Sequence, residues 1–550
     1  MRKILSMLIG LLMVLFIGYT IYTEFNEVQD NDIIESDEFF VLLEDMKLIE
    51  AEDYIYIDDQ IHFSVHFLKD FVDQNLFYDE NEDVLVFTDD SRVGRFYPDS
   101  QSGTMNGKEI LLKSPIKIVD KDTFIPYDLI RELYSERLEF YWNNSSLVID
   151  FKKYDYLEGE ILEDSYLYSS PHKRAPLIGE GLVEGDRVIV FSEDRSWYKV
   201  RTNEGLVGYV MGESILIEYG KNRFKRSVDR EEGTNSGDPG MINLTWDYTY
   251  GPMRNMDAAP DMKGVNVVSP TWFDVSDENG SIYDKGNLDN SILYKNAGYE
   301  LWPAVTNSFD PGMTSVFLRS SESRERIIND LLDLYKYYKV DGINIDFENI
   351  YYEDSDHLTQ FVRELYPVFK DQGMKVSMDV TAISTSPNWS MVYDRKRLQE
   401  SLDYVVLMAY DQHWAASPVA GSVAQYWWVE ESVSRILEQV PAEKLVLGMP
   451  FYSRVWDVND DGVSSQAVTM STALEFIEKN NIQAVWDEAS QQYYGDTKVG
   501  ETTRKIWLED ENSLYYKVSL VHKYNLAGIA TWRKGFEIPS VWEALDGYLN

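Results

Sequence analysis

Between residues 241 and 550, apolar strand-like runs alternate with amphipathic helical stretches. The runs are MINLTWDY (241–248), GVNVVSPTWFDV (264–275), YELWPAVTNSF (299–309), DGINIDFE (341–348), KVSMDVTAI (375–383), DYVVLMAYD (403–411), KLVLGMPFYSRVW (444–456) and AGIATWRKG (527–535). Helical segments such as SRERIINDLLDLYKYYKV and WVEESVSRILEQVP lie between several of them. Eight such runs with helical crossovers predict a closed (β/α)8 barrel, whose catalytic groups sit at the C-terminal ends of the strands.

In the fourth run, DGINIDFENI, two carboxylates and an amide recur at every second position. Alternate residues of a strand point to one side, about 6.6 Å apart. Asn344, Asp346 and Glu348 are therefore expected to point into the barrel, while Ile343, Ile345 and Phe347 pack against the helices. Glu348 falls at the C-terminal end. Two carboxylates this close raise the pKa of at least one of them. A carboxyl that stays protonated near neutral pH is the general acid that glycosidic cleavage needs. A purely structural ladder would bury charges without partners, which is costly.

The 550 residues are too many for one domain. Lys and Arg number 51 against 94 Asp and Glu, a net charge of −43, which argues against nucleic acid or anionic lipid as partners. The absence of cysteine excludes disulfides, thiol nucleophiles and zinc–thiolate sites. Arg2 and Lys3 precede an apolar run from Ile4 to Tyr22, long enough to cross the hydrocarbon of a bilayer. Residues 1–25 are read as a membrane anchor with its basic end in the cytoplasm and the bulk of the chain outside, or as a cleaved signal.

Two segments after it share one pattern of amphipathic helix, aromatic pair, polar turn and apolar strand: FSVHFLKDFVDQNLFYDENEDVLVF (63–87) and FIPYDLIRELYSERLEFYWNNSSLVIDF (124–151). They predict one small α+β domain over 35–155, which resembles the copper amine oxidase N-terminal stalk domain. His62 and His66 are four apart, but no third ligand is suitably spaced, so no metal is expected. Residues 158–218 change to short strands and turns. The pieces EGDRV (184–188), SWYKVRT (196–202) and GLVGYV (205–210) resemble a bacterial SH3-like barrel, with Trp197 in its core. Such barrels serve as spacers or contact cell-wall peptides. Residues 219–240 are polar, rich in Gly and charge, and read as a linker before the catalytic block at 241–550.

DGINIDFE also resembles the D-x-x-D-x-D-x-E signature of glycoside hydrolase family 18, with further matches in MAYDQHW (408–414), GMPFYSR (448–454) and GIATWR (528–533). That family includes chitinases and N-acetylglucosaminidases of peptidoglycan, and the multidomain layout looks most like the wall- and cortex-lytic branch. The resemblance implies substrate-assisted retaining hydrolysis without a cofactor, an exception to the two-carboxylate scheme. It implies that Glu348 is the acid, that Asp346 bonds the acetamido N–H, and that Tyr410 holds the acetamido carbonyl. Asp411 would contact the sugar and Trp532 would form its floor. Asp341 opens the motif, and Trp414 is a further candidate for the sugar cleft, as are Trp272, Trp302, Trp427 and Trp428. Asn344 replaces the signature's second acid. It can hydrogen-bond Asp346 but cannot ionise. The expected partner is peptidoglycan, with chitin or another GlcNAc glycan as the alternative substrate, a non-catalytic glycan-binding barrel as the alternative class, and a monomer as the expected state.

Overall fold

The computed structural model describes residues 33–34, 39–143, 145–218 and 240–549. The expected anchor or signal at 1–25 and nearly all of the expected linker lie outside these residues. Among the described residues no helix is long and apolar enough to cross a membrane. The chain divides into two compact units, Met1–Gln74 with Leu112–Thr234, and Asn75–Leu111 with Asn235–Asn550.

In the first unit, Gln60–Ser64 pairs antiparallel with Asp122–Pro126, so the opening strands of the two sequence repeats lie side by side. A mixed sheet places Ser146–Phe151 between Leu138–Trp142 and Phe40–Leu43. Residues 157–218 form an antiparallel sheet in the order Val207–Met211, Trp197–Arg201, Arg187–Asp194, Leu157–Ile161, Ile215–Glu218. Its core is aliphatic, built on Ile161, Val188, Val200 and Val210. Trp197 is buried, its ring edge-on to Tyr168 at 5.1 Å. Arg201 makes a buried two-pronged ion pair with Asp150 at 2.7 and 2.6 Å, joining this sheet to the mixed one. His62 is buried between Gln60 O and Ser114 Oγ, whereas the exposed His66 faces Asp122 at 3.7 Å. Among the described residues no cluster could hold a metal ion.

In the second unit, the sequence segment Asn75–Leu111, inside the expected 35–155 domain, packs with the barrel instead. It is a five-stranded antiparallel sheet against the helices Ser321–Tyr338 and Ser355–Lys370. Val84, Val86 and Val93 contact Val368 there. Arg95 reaches from the sheet to Glu364, its Nη2 donating to Oε2 at 2.5 Å, and Arg324 Nε donates to Oε1 at 2.9 Å. A cleft lined by Arg95, Glu325 and Glu364 marks this seam.

The barrel strands are Ile242–Asp247, Val267–Pro270 continued by Phe273–Val275, Glu300–Leu301 continued by Ala304–Thr306, Gly342–Asp346, Lys375–Thr381, Tyr404–Met408, Leu445–Pro450 and Gly528–Trp532. All neighbours pair in parallel, and the eighth strand pairs with both the seventh and the first, which closes the ring. Gly528 is required at that closure. Its φ is +154°, and a Cβ there would meet Ile242 O at 1.9 Å.

Three of the expected runs end differently from the prediction. The second and third break at Pro270 and at Pro303, because proline has no N–H for the ladder. The run 444–456 is two strands. The barrel strand stops at Pro450, and Tyr452–Asn459 turns away to pair antiparallel with Gly462–Thr469 and Thr502–Leu508. Residues 452–508 are thus a separate five-stranded sheet carrying the helix Met470–Lys479, inserted between the seventh and eighth strands.

Candidate active site

The alternation of the fourth strand sorts its side chains as its pattern requires. Ile343, Ile345 and Phe347 are fully buried on the outer face, and Phe347 stacks on Phe361 of a covering helix at 5.4 Å. Asn344 and Asp346 point inward and are 0% and 7% exposed. Glu348, two residues past Asp346 and just beyond the strand, is partly exposed at the barrel mouth.

The backbone that carries Glu348 is held from both sides. Its N–H donates to Asn307 Oδ1 at 3.0 Å, and Asn307 Nδ2 returns a bond to Glu348 O at 2.8 Å. Tyr393 Oη donates to Phe347 O at 2.8 Å. These contacts hold the backbone that carries Glu348.

Burial raises the pKa values of the acids in the barrel interior. Asp346 is pushed up to about 7 by loss of water and by the negative charge of Asp274. Glu348 is held well above the usual carboxylate range, mainly by burial and then by Asp346 and Asp411. Asp379, 1% exposed on the fifth strand, is likewise raised by burial and by Asp346. Asp274 itself is held by Lys285 at 2.8 Å and accepts from Thr306 Oγ1 at 2.9 Å. A protonated Glu348 facing solvent has the character of a general acid.

Around the acids stand aromatic rings. Trp246 lies edge-on to Tyr410 at 6.5 Å and to Trp532 at 5.7 Å, and Tyr248 is 6.2 Å from Trp532. Burial raises the Tyr410 phenol well above its ordinary value, so it stays a hydroxyl donor. Asp411, at φ +56°, accepts from Tyr452 Oη at 2.6 Å and lies 3.4 Å from Arg454 Nη2.

The fold therefore gathers Asp346, Glu348, Tyr410, Asp411 and Trp532 at one end of the barrel, around the ends of the fourth, sixth and eighth strands. One candidate is placed elsewhere. Asp341 lies before the first residue of the fourth strand, at its opposite end. It holds Lys295 at 2.6 Å and the Leu301 N–H at 3.0 Å, so its contacts are structural and it is not brought to the mouth. Trp414 is 53% exposed on the loop after Asp411. Of the other tryptophans, Trp272 and Trp302 are core, packed on Tyr338 and Tyr404.

Asn344 also differs from its expected role. Its amide does not turn to Asp346. Nδ2 donates to Asp379 Oδ2 at 2.7 Å, and Oδ1 accepts from Ser377 Oγ at 2.8 Å. The parallel register puts Ser377 beside Asn344, which draws the amide toward the fifth strand. Asp379, Asn307, Tyr393 and Trp246 were not singled out in the sequence. Asp379, Asn307 and Trp246 sit inside runs that read as buried strands, where a single polar or aromatic residue was the only signal, and Tyr393 lies beyond the fifth run.

This arrangement sets raised carboxyls and aromatic rings at the mouth of a parallel barrel. Residues 291–536 match the model of the glycosyl hydrolases family 18, so the chain carries a domain of that family and is a glycoside hydrolase. Residues 44–149 match the copper amine oxidase N-terminal domain.

Two relatives come from Bacillus subtilis (strain 168). One is described as an uncharacterized glycosylase, YvbX, 25% identical over 346 residues, covering 60% of this chain and 94% of the relative. The other is a cortical fragment-lytic enzyme, 25% identical over 249 residues, covering 44% of this chain and 58% of the relative. The spore cortex-lytic enzyme SleL of Bacillus megaterium QM B1551 shares the fold at a TM-score of 0.51 and 17% identity, covering 67% of this chain and 90% of that one.

Proposed function

We propose that the protein hydrolyses β-1,4 bonds at N-acetylglucosamine in peptidoglycan by substrate-assisted retaining catalysis. The observation that carries this reading is the pairing of a raised, mouth-facing Glu348 with the buried Asp346 two residues before it. Glu348 donates its proton to the glycosidic oxygen as the C1–O bond breaks. The acetamido oxygen of the same sugar forms the new bond to C1, giving an oxazolinium ion. Asp346 accepts a hydrogen bond from the acetamido N–H and balances the positive charge. Tyr410 donates to the acetamido oxygen, and Trp532 lies against the sugar face. Glu348, now ionised, takes a proton from water, whose oxygen attacks C1 and reopens the ring. No cofactor enters the scheme.

The choice of peptidoglycan rests on the kinship with a cortical fragment-lytic enzyme and on the small domains ahead of the barrel. In this reading, residues 1–25 hold a monomeric chain at the membrane with its domains outside the cell, or are cleaved to release it. The sheet at 157–218 serves as an SH3-like wall-directed module. The test is product analysis of the full chain on vegetative and spore-cortex peptidoglycan and on chitin oligomers. New reducing ends at GlcNAc from peptidoglycan support the reading. Turnover of chitin oligomers alone would move the substrate to chitin.

A further inference from the structure

The eighth strand ends in Trp532, the ring proposed for the sugar face, and Arg533 follows it directly. The Arg533 guanidinium lies among aromatic rings. Its carbon is 4.0 Å from the ring centre of Phe536, 4.9 Å from that of Tyr248 and 5.8 Å from that of Tyr250. Tyr248 in turn stands edge-on to Trp532 at 6.2 Å, so one ring separates the cation from the sugar floor. Tyr248 and Tyr250 follow the first strand and are 40% and 84% exposed. Arg533 is partly exposed, so the cluster opens to solvent on the rim of the barrel.

Its partners set this cation apart from its neighbours. Beside the strand ends, Lys285 is held by Asp274 at 2.8 Å, Lys534 by Asp247 at 3.0 Å and Arg454 by Asp411 at 3.4 Å. Among the described residues no carboxylate pairs with Arg533. It donates from Nη2 to Tyr250 Oη at 3.2 Å. Glu537, the acid nearest to it in sequence, accepts from the Gly535 N–H at 2.5 Å instead. In a chain with 94 acids against 51 bases, a cation does not lack an acid for want of supply. A guanidinium is attracted to aromatic rings through its face and presents five N–H donors in its plane. Contact with the rings therefore holds Arg533 and leaves donors at its edge unused. That is a seat for a planar anion with two oxygens.

The proposed substrate carries such an anion. In a peptidoglycan strand each N-acetylglucosamine lies between two sugars that bear a lactyl ether. The lactyl carboxyl is either free or extended by a peptide that has carboxylates of its own. Chitin has none. The net charge of −43 opposes an acidic strand at long range, and a cation on the rim offsets this locally. We propose that Arg533 is a specificity-determining residue: it binds a carboxylate on a sugar next to the cleaved N-acetylglucosamine and so favours the acidic glycan over the neutral one. The inference deepens the proposed function and rests on it.

The test compares the full chain with Arg533→Gln and Arg533→Lys on peptide-free and on peptide-bearing peptidoglycan strands, each before and after methyl esterification of its carboxyls. Chitin oligomers are the neutral reference. For the unaltered chain, esterification is expected to lower kcat/KM about 30-fold. The drop appears on peptide-free strands if the lactyl carboxylate is the anion, and on peptide-bearing strands alone if the peptide supplies it. In Arg533→Gln esterification is expected to matter by less than about threefold. Arg533→Lys keeps the charge without the fork and is expected to shrink the effect at least about threefold. A loss of turnover shared equally by chitin and both peptidoglycan forms would mean that Arg533 only supports Trp532. That result, an undiminished esterification effect in the variants, or none in the unaltered chain, overturns the proposal. Turnover of chitin oligomers alone, or of no glycan, would instead defeat the proposed function. Calorimetric binding of the same strands to Glu348→Gln, with and without Arg533→Gln, then decides on Arg533. Tighter binding of the carboxylate form that vanishes with Arg533→Gln supports the proposal, and equal binding of acid and ester overturns it.

Discussion

Two of the places where the barrel unit buries carboxylates neutralise them in opposite ways. Glu364 is wholly buried on the outer layer, yet it receives Arg95 from the neighbouring sheet, Arg324 from the adjacent helix, and the Gln360 amide at 3.0 Å. At the barrel mouth, Asp346 and Asp379 are buried and Glu348 is partly exposed, and each is raised by burial and by the negative charge of a neighbouring acid. Cations settle the charge in the first place and protons settle it in the second. A cation-paired carboxylate is fixed in charge and suits a joint between elements. A carboxyl kept neutral by its surroundings has a proton to give, which is the property acid catalysis draws on.

The largest effect expected from breaking this contrast is at Glu348. Glu348→Gln keeps the shape and removes the proton, and is expected to cut turnover by about 10³-fold or more, as measured by release of reducing ends, with the melting temperature nearly unchanged. Glu364→Gln should do the reverse. It leaves Arg95 and Arg324 short of their shared carboxylate and is expected to cost about 3 kcal/mol of stability in denaturant titrations, while kcat on the protein that remains folded changes little. Equal effects of both changes on both measurements would erase the distinction.

The pH dependence sharpens the comparison further. The folded-state pKa of Asp346 is raised to about 7, so the folded chain binds that proton more tightly than the unfolded chain does. The stability this contributes is complete below about pH 4 and is lost as pH rises through 7. Asp346→Asn is expected to flatten the fall in stability over this interval by about 4 kcal/mol. A profile that is unchanged by the substitution would show that the proton is held elsewhere. The smallest effect is expected at Asp341. Its pair with Lys295 is partly exposed, so Asp341→Asn should cost less than about 1 kcal/mol and leave KM unaltered. A raised KM would return Asp341 to the sugar site.

Much of the barrel could be read in advance because apolar strand runs alternate with amphipathic helical stretches, and DGINIDFE stood out because its alternating polar residues include two acids, whereas the same alternation in INLTWD and KVSMDVT carries one acid each. What could not be read has physical causes. The breaks at Pro270 and Pro303 hide inside continuous apolar runs. The insertion at 452–508 begins one residue after a barrel strand ends, with no turn signal at Phe451. Asp341 shares a motif with Glu348 but lies at the other end of the strand, since a strand separates in space what the sequence sets seven residues apart. Asp379 is one acid in KVSMDVT, and its meaning depends on register with the fourth strand, which no local pattern carries.

The account turns on Glu348 being the acid for a glycosidic bond next to N-acetylglucosamine. The direct measurement is mass spectrometry of borohydride-reduced products after purified peptidoglycan is incubated with the full chain or with Glu348→Gln. The account predicts fragments with new reduced ends at N-acetylglucosamine from the unaltered chain and none from the variant. Equal release from both proteins, or new ends at the other sugar, would contradict it.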